Sequence, residues 1–260
     1  MEITEHIDAL RREGARLAEA AARTDLSAPV PTCPEWQLAD LLRHLGYVHR
    51  WAAAVPSRGL RAPLDEAGAR AAVGPLPSDD ALLDWYRESH AIVVDALTAA
   101  PADLECWSFL PAPSPLAFWA RRQAHETAIH RYDADAAAGA PGPVVDTALA
   151  LDGIDELLRG FLARSRSGLR SDLPRTLQVR ATDAVGAGTG SWRLTITQEP
   201  PSVTTGEGPE PTDLTLSGPA HELYPLLWNR LSAEQAGAVE TSGDQGLLDL
   251  WSEAAAIRWS

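Results

Sequence analysis

The feature that most constrains the fold is a change of period along the chain. Up to about residue 162 the apolar residues recur three and four apart, as on amphipathic helices; beyond about residue 170 they alternate, as on strands. Neither a helix-only nor a sheet-only architecture satisfies both patterns. The chain is therefore expected to divide into an all-helical part, residues 1–165, and a small α+β part, residues 166–260.

In the first part, Ile3, Ile7, Leu10 and Leu17 predict a helix over residues 3 to about 23. Pro29, Pro31 and Pro34 then break the chain, and a second helix is expected from Glu35, with Trp36, Leu38, Leu41, Leu42, Leu45 and Val48 as its apolar stripe. His44 falls within that stripe, and His49, five residues on, turns away from it. Residues 56–77, rich in Pro, Gly and Ala, read as a long loop. Ser78 before Asp79 and Asp80 is a helix-start signal for a helix to about Ala100. After the prolines at 111, 113 and 115, a helix is expected over 116–138, stopped by Gly139 and Pro141-Gly142-Pro143, then a fifth over 146–162. In the second part, residues 176–180, 190–197 and 213–218 read as strands, with a turn at 186–190 and a short strand at 239–241. Residues 220–231 and 245–259 read as helices.

Charge narrows the function classes. With 36 acidic against 22 basic residues the net charge is −14, which argues against a nucleic-acid or anionic-membrane surface as the main partner. Two cysteines, Cys33 and Cys106, are too few for a disulfide framework and fit a reducing compartment. The start of the chain lacks an apolar signal core, and no run approaches a membrane span, so a cytoplasmic protein is expected, most simply a monomer.

The chemistry concentrates in Arg121-Arg122-Gln123-Ala124-His125-Glu126-Thr127-Ala128-Ile129-His130-Arg131-Tyr132-Asp133. Glu126 and His130, four apart, lie about 40° apart around a helix and on neighbouring turns, so both can face one divalent cation. In isolation the same spacing also makes an ordinary surface pair. His125 and His130 are five apart, about 140° around the helix, which excludes a zincin-type site. Two ligands are too few for tight binding, and the best supplier of a third is the upstream stretch from Cys33 to Gly46. Arg122 and Arg131 flank the pair but read as structural, and Tyr132 and Asp133 as packing or capping residues. Cys33 has nothing in its sequence neighbourhood to activate its thiol.

Three stretches together resemble a known family. They are residues 30–46, Val-Pro-Thr-Cys-Pro-Glu-Trp-Gln-Leu-Ala-Asp-Leu-Leu-Arg-His-Leu-Gly; residues 125–133; and Asp213-Leu214-Thr215-Leu216-Ser217-Gly218 followed by Leu226-Leu227-Trp228-Asn229-Arg230. In that order they are similar to the mycothiol-dependent maleylpyruvate isomerases, over almost the whole chain. The resemblance implies a DinB-like four-helix bundle followed by a sterol-carrier-like α+β domain. It implies a divalent metal, usually zinc, held by His44, Glu126 and His130, with His49 and His125 as nearest competitors.

Three protein ligands leave a fourth position open, the arrangement of catalytic rather than structural zinc. The resemblance makes mycothiol the low-molecular-weight thiol held there as thiolate, for cis–trans isomerisation of an unsaturated acid or for S-transfer to an electrophile. Arg230 is the candidate to meet a substrate carboxylate, since a guanidinium pairs with it bidentately. Two other readings use the same scaffold: metal-assisted hydrolysis by a bound water, and a non-catalytic small-ligand carrier with a structural metal.

Overall fold

The computed structural model describes residues 1–140, 142, 144–186, 189–208 and 211–257. They form two compact units, Met1–Pro143 and Val144–Ser260. The division precedes the fifth helix, so that helix belongs with the second unit, whereas the sequence pattern grouped it with the first.

The first unit is built from α1 (Ile3–Ala21), α2 (Leu38–Arg58), a short α3 (Glu66–Val73), α4 (Leu82–Ala99) and α5 (Pro115–Ala137). α1 and α2 each pack against both α4 and α5, which closes the four long helices into a bundle. Except for α4, which starts after Ala81 without a side-chain cap, each helix starts on a local signal. The Glu2 and Gln37 backbone N–H groups donate to Glu5 and Asp40 in reciprocal capping boxes. Ser114 Oγ accepts from the Ala117 N–H ahead of Pro115. α2 ends at Gly59, whose φ of +59° a side chain would resist.

Three features depart from the sequence reading. Glu35 and Trp36 do not begin α2. Glu35 sits in the left-handed region at φ +76°, and the chain turns there before Gln37 caps the helix. The predicted loop over 56–77 contains the end of α2 and all of α3, which Asp65 caps by accepting from the Gly68 N–H. The fifth helix runs as α6 (Thr147–Asp155), then winds more widely as a π-helical stretch, Glu156–Leu162.

α5 has no polar face. Trp119, Arg122, Gln123, Glu126, Ile129 and Asp133 are all buried, so polar side chains on this helix must find partners inside the protein. α2 and α4 approach closely at Gly46, where an added Cβ would come within 2.0 Å of the Trp85 ring. Gly46→Ala should therefore destabilise the first unit by about 2–3 kcal/mol through overpacking. Urea unfolding of the variant checks this, and an unchanged midpoint would mean that Trp85 has room to move.

The second unit carries a five-stranded sheet: β1 (Arg175–Ala181), β2 (Ser191–Ile196), β3 (Ser202–Thr205), β4 (Leu214–Gly218) and β5 (Glu240–Gly243), with α7 (Ala220–Leu227) and α8 (Gly246–Ala254). The order is β3-β2-β1-β4-β5, with β1 and β4 parallel and the other pairs antiparallel. Register stacks apolar residues on one face: Leu177 pairs with Leu194 and Leu214, and Val179 with Trp192 and Leu216. β3 escaped the sequence reading because Ser202, Thr204 and Thr205 give an exposed edge strand with no apolar alternation. The helix expected over 245–259 is seen as Gly246–Ala254, and Trp259 lies outside the described residues. No helix among the described residues is long and apolar enough to cross a membrane.

Candidate metal centre

α2 and α5 bring His44, Glu126 and His130 together. His44 Nε2 lies 3.1 Å and His130 Nε2 3.5 Å from the same atom, Glu126 Oε1. One helix supplies Glu126 and His130 because four residues make one turn and a little more. α2 supplies His44 because its apolar stripe turns that face inward, and the imidazole is left half-buried where the other two are buried.

The distances from Glu126 Oε1 to the two imidazole nitrogens suit a cation. Two atoms each 2.0–2.1 Å from zinc at a tetrahedral angle lie roughly 3.3 Å apart. The two measured separations fall on either side of that value. Two imidazole nitrogens and one carboxylate oxygen are a borderline-soft donor set suited to zinc and its neighbours. Among the described residues no fourth His, Cys, Asp or Glu joins the group.

Surrounding groups orient these side chains. Arg122, one turn before Glu126, donates from Nη2 to Glu126 Oε2 at 3.1 Å, so the other carboxylate oxygen faces the histidines. Burial by itself disfavours charge on Glu126. The hydrogen bonds from His130 and His44 and the charge of Arg122 outweigh it and hold the carboxyl well below the usual carboxylate range. Burial also opposes charge on His130, yet the bonds to Asp133 and Glu126 raise its pKa above the ordinary imidazole value. His130 Nδ1 lies 2.7 Å from Asp133 Oδ2, and Asp133 also accepts from Thr32 Oγ1 at 2.6 Å and Cys33 Sγ at 3.3 Å. Trp36 stacks on His130, with centroids 6.0 Å apart and planes 14° apart, and tilts over His44 at 5.1 Å.

Arg122 and Asp133 are thus part of the centre, although the sequence reading made the first structural and the second a packing or capping residue. The signal was present for both: Arg122 is four before Glu126, and Asp133 three after His130. Arg131 is structural, pairing with Glu13 on α1 and with Asp135. Neither competitor histidine joins the group. His49 is fully buried on α2, 2.9 Å from Thr127 Oγ1, and its burial holds its pKa well below the ordinary value. His125 is buried edge-to-face with His6 of α1.

In the second unit, Arg230 follows α7 and Asn229, which has φ +57°. It is half-buried, and its Nη1 donates to the Trp228 carbonyl at 2.9 Å.

Comparison with known proteins agrees with this architecture. Residues 7–135 match the family model of the mycothiol maleylpyruvate isomerase N-terminal domain, and residues 148–250 match the C-terminal domain model of the same family. Comparison with curated proteins gives no match. Among solved structures, the mycothiol-dependent maleylpyruvate isomerase is similar at 14% identity and TM-score 0.61, and a histidine-to-alanine mutant of it at 14% and 0.62. Each alignment covers 93% of both chains. At that identity the structures attest the shared fold, while the two consecutive domain models carry the assignment: this chain belongs to the mycothiol-dependent maleylpyruvate isomerase family of enzymes.

Proposed function

We propose that this protein is a divalent-metal- and mycothiol-dependent enzyme, acting as a cis–trans isomerase on an unsaturated acid or as an S-transferase toward an electrophile. The observation that carries the reading is the convergence of His44 Nε2 and His130 Nε2 on Glu126 Oε1 in a chain of this family. His44, Glu126 and His130 would hold the metal, zinc by preference. Bound there, the metal supplies a positive charge that keeps a thiol in its nucleophilic thiolate form at neutral pH.

The protein's own groups do the rest. Arg122 fixes the Glu126 carboxylate so that one oxygen faces the two imidazoles. Trp36 packs against both histidine rings. A group of three protein ligands leaves room for an exogenous one, which favours a catalytic over a structural centre. In isomerisation, the thiolate sulfur bonds to one carbon of the cis double bond, and the π pair moves onto the conjugated carbonyl as an enolate. The carbon–carbon bond, now single, rotates, and return of the pair from the enolate expels the thiolate and restores the double bond as trans. In S-transfer the carbon–sulfur bond stays and the electrophile's leaving group departs.

The test is metal content of the purified protein by mass spectrometry, followed by assay with mycothiol and either maleylpyruvate or a panel of electrophiles. One zinc per chain and thiol-dependent turnover are expected. Failure to bind zinc after reconstitution would sink the reading.

Arg230 is proposed to meet the carboxylate of the acid. Arg230→Ala should then raise KM for an anionic substrate about tenfold or more, the range of a hydrogen bond to a charged group, with metal retained. An unchanged KM would remove Arg230 from the site.

A further inference from the structure

We propose that Asp133 is a positioning residue of the metal centre, setting the protonation and orientation of His130, and that the turn at residues 32–36 serves to hold this arrangement. The inference rests on the reading of His44, Glu126 and His130 as metal ligands. An imidazole can bind a metal only through a nitrogen that carries no proton, and the hydrogen bond at the other nitrogen decides which one that is. Nε2 of His130 faces Glu126 and Nδ1 faces Asp133. An ionised carboxylate only accepts, so Asp133 holds the proton on Nδ1, and the proton that a cation would displace is the one Nε2 shares with Glu126.

Asp133 is fully buried, where a carboxylate without donors is costly. The Pro-Thr-Cys-Pro-Glu-Trp stretch meets that cost from a hundred residues upstream. Thr32 Oγ1 donates to Oδ1 and Cys33 Sγ to Oδ2, the oxygen that also faces His130. Three residues later Trp36 lies flat over the His130 ring. The turn is closed by its own backbone: the Val30 N–H donates to the Trp36 carbonyl at 2.9 Å and the Trp36 N–H to the Cys33 carbonyl at 3.0 Å. His130 is thereby held at its edge by Asp133 and on its face by Trp36. The unusual φ of Glu35 is the bend that carries the chain from the first contact to the second.

Cys33, His130 and Asp133 also lie close enough to be ligands themselves. The two roles separate experimentally. Zinc affinity is measured by chelator competition on wild type, Asp133→Ala, Asp133→Asn and Cys33→Ala. A positioning role predicts zinc binding weakened about 10–100-fold in both Asp133 variants, and weakened clearly less in Cys33→Ala, which removes one of the two donors to Asp133 and leaves Thr32 in place. The second readout is NMR of the zinc-saturated protein labelled with ¹⁵N in histidine. Wild type should show a slowly exchanging His130 Nδ1–H, and the Asp133→Asn variant, which keeps the side-chain volume, should show that proton shifted and exchanging faster.

Unchanged zinc affinity and an unchanged Nδ1–H in the Asp133 variants would overturn the inference while leaving the ligand assignment standing. Loss of zinc from Cys33→Ala as severe as from Asp133→Ala would overturn it in favour of direct ligation. Wild type that binds no zinc would overturn both this inference and the function it rests on.

Discussion

His130→Ala should emerge from purification without zinc, and without thiol-dependent turnover, while its helical circular dichroism stays as in the wild type. Three atoms able to hold a cation meet here from two helices, and His130 contributes one of them. Removing a group that merely supports a ligand weakens metal binding 10–100-fold, so loss of a ligand should exceed about 100-fold and leave the site empty at micromolar metal. Without the metal a thiol of ordinary pKa, about 8.5, is mostly protonated at neutral pH and a poor nucleophile. The fold should survive. Alanine is the better helix former in the middle of α5, and Asp133 keeps the Thr32 and Cys33 donors. His44→Ala should behave in the same way. Stoichiometric zinc in either variant, measured by mass spectrometry, would mean that the cation is held elsewhere.

Glu126→Gln should do two separate things. It replaces the proposed anionic ligand by a neutral amide, so metal should be lost. It also removes the negative charge that accepts from the Arg122 guanidinium, which is 2% exposed. Loss of that one charged acceptor should cost about 1–3 kcal/mol, the range for a hydrogen bond to a charged group. Urea unfolding of the metal-free protein should report a loss in that range. A loss below about 1 kcal/mol in the variant would show that water reaches the pair and screens it.

The two kinds of site information differ in origin. Glu126 and His130 are legible together because one turn of one helix sets their spacing, and Arg122 and Asp133 stand at equally legible offsets on that helix. Their roles were missed because offset says which residues share a face, not which face is buried. α5 has no exposed polar side to expose the difference. Local composition also misled at α3, where an Ala- and Gly-rich run folds as a helix under an Asp65 cap, and at β3, an edge strand with no apolar rhythm.

What the sequence alone determined is most of the elements and the succession of a helical part by an α+β part: helices where apolar residues recur at helical period, strands where they alternate, and stops at glycine and proline. These follow from backbone geometry acting over a few residues. Only the tertiary structure decided that His44 meets Glu126 across 82 residues of chain, and that Thr32 and Cys33 meet Asp133 across about a hundred. Such contacts depend on how α2 and α5 pack side by side. Packing is settled by the shapes of whole helix faces filling a common core, which no short stretch of sequence encodes.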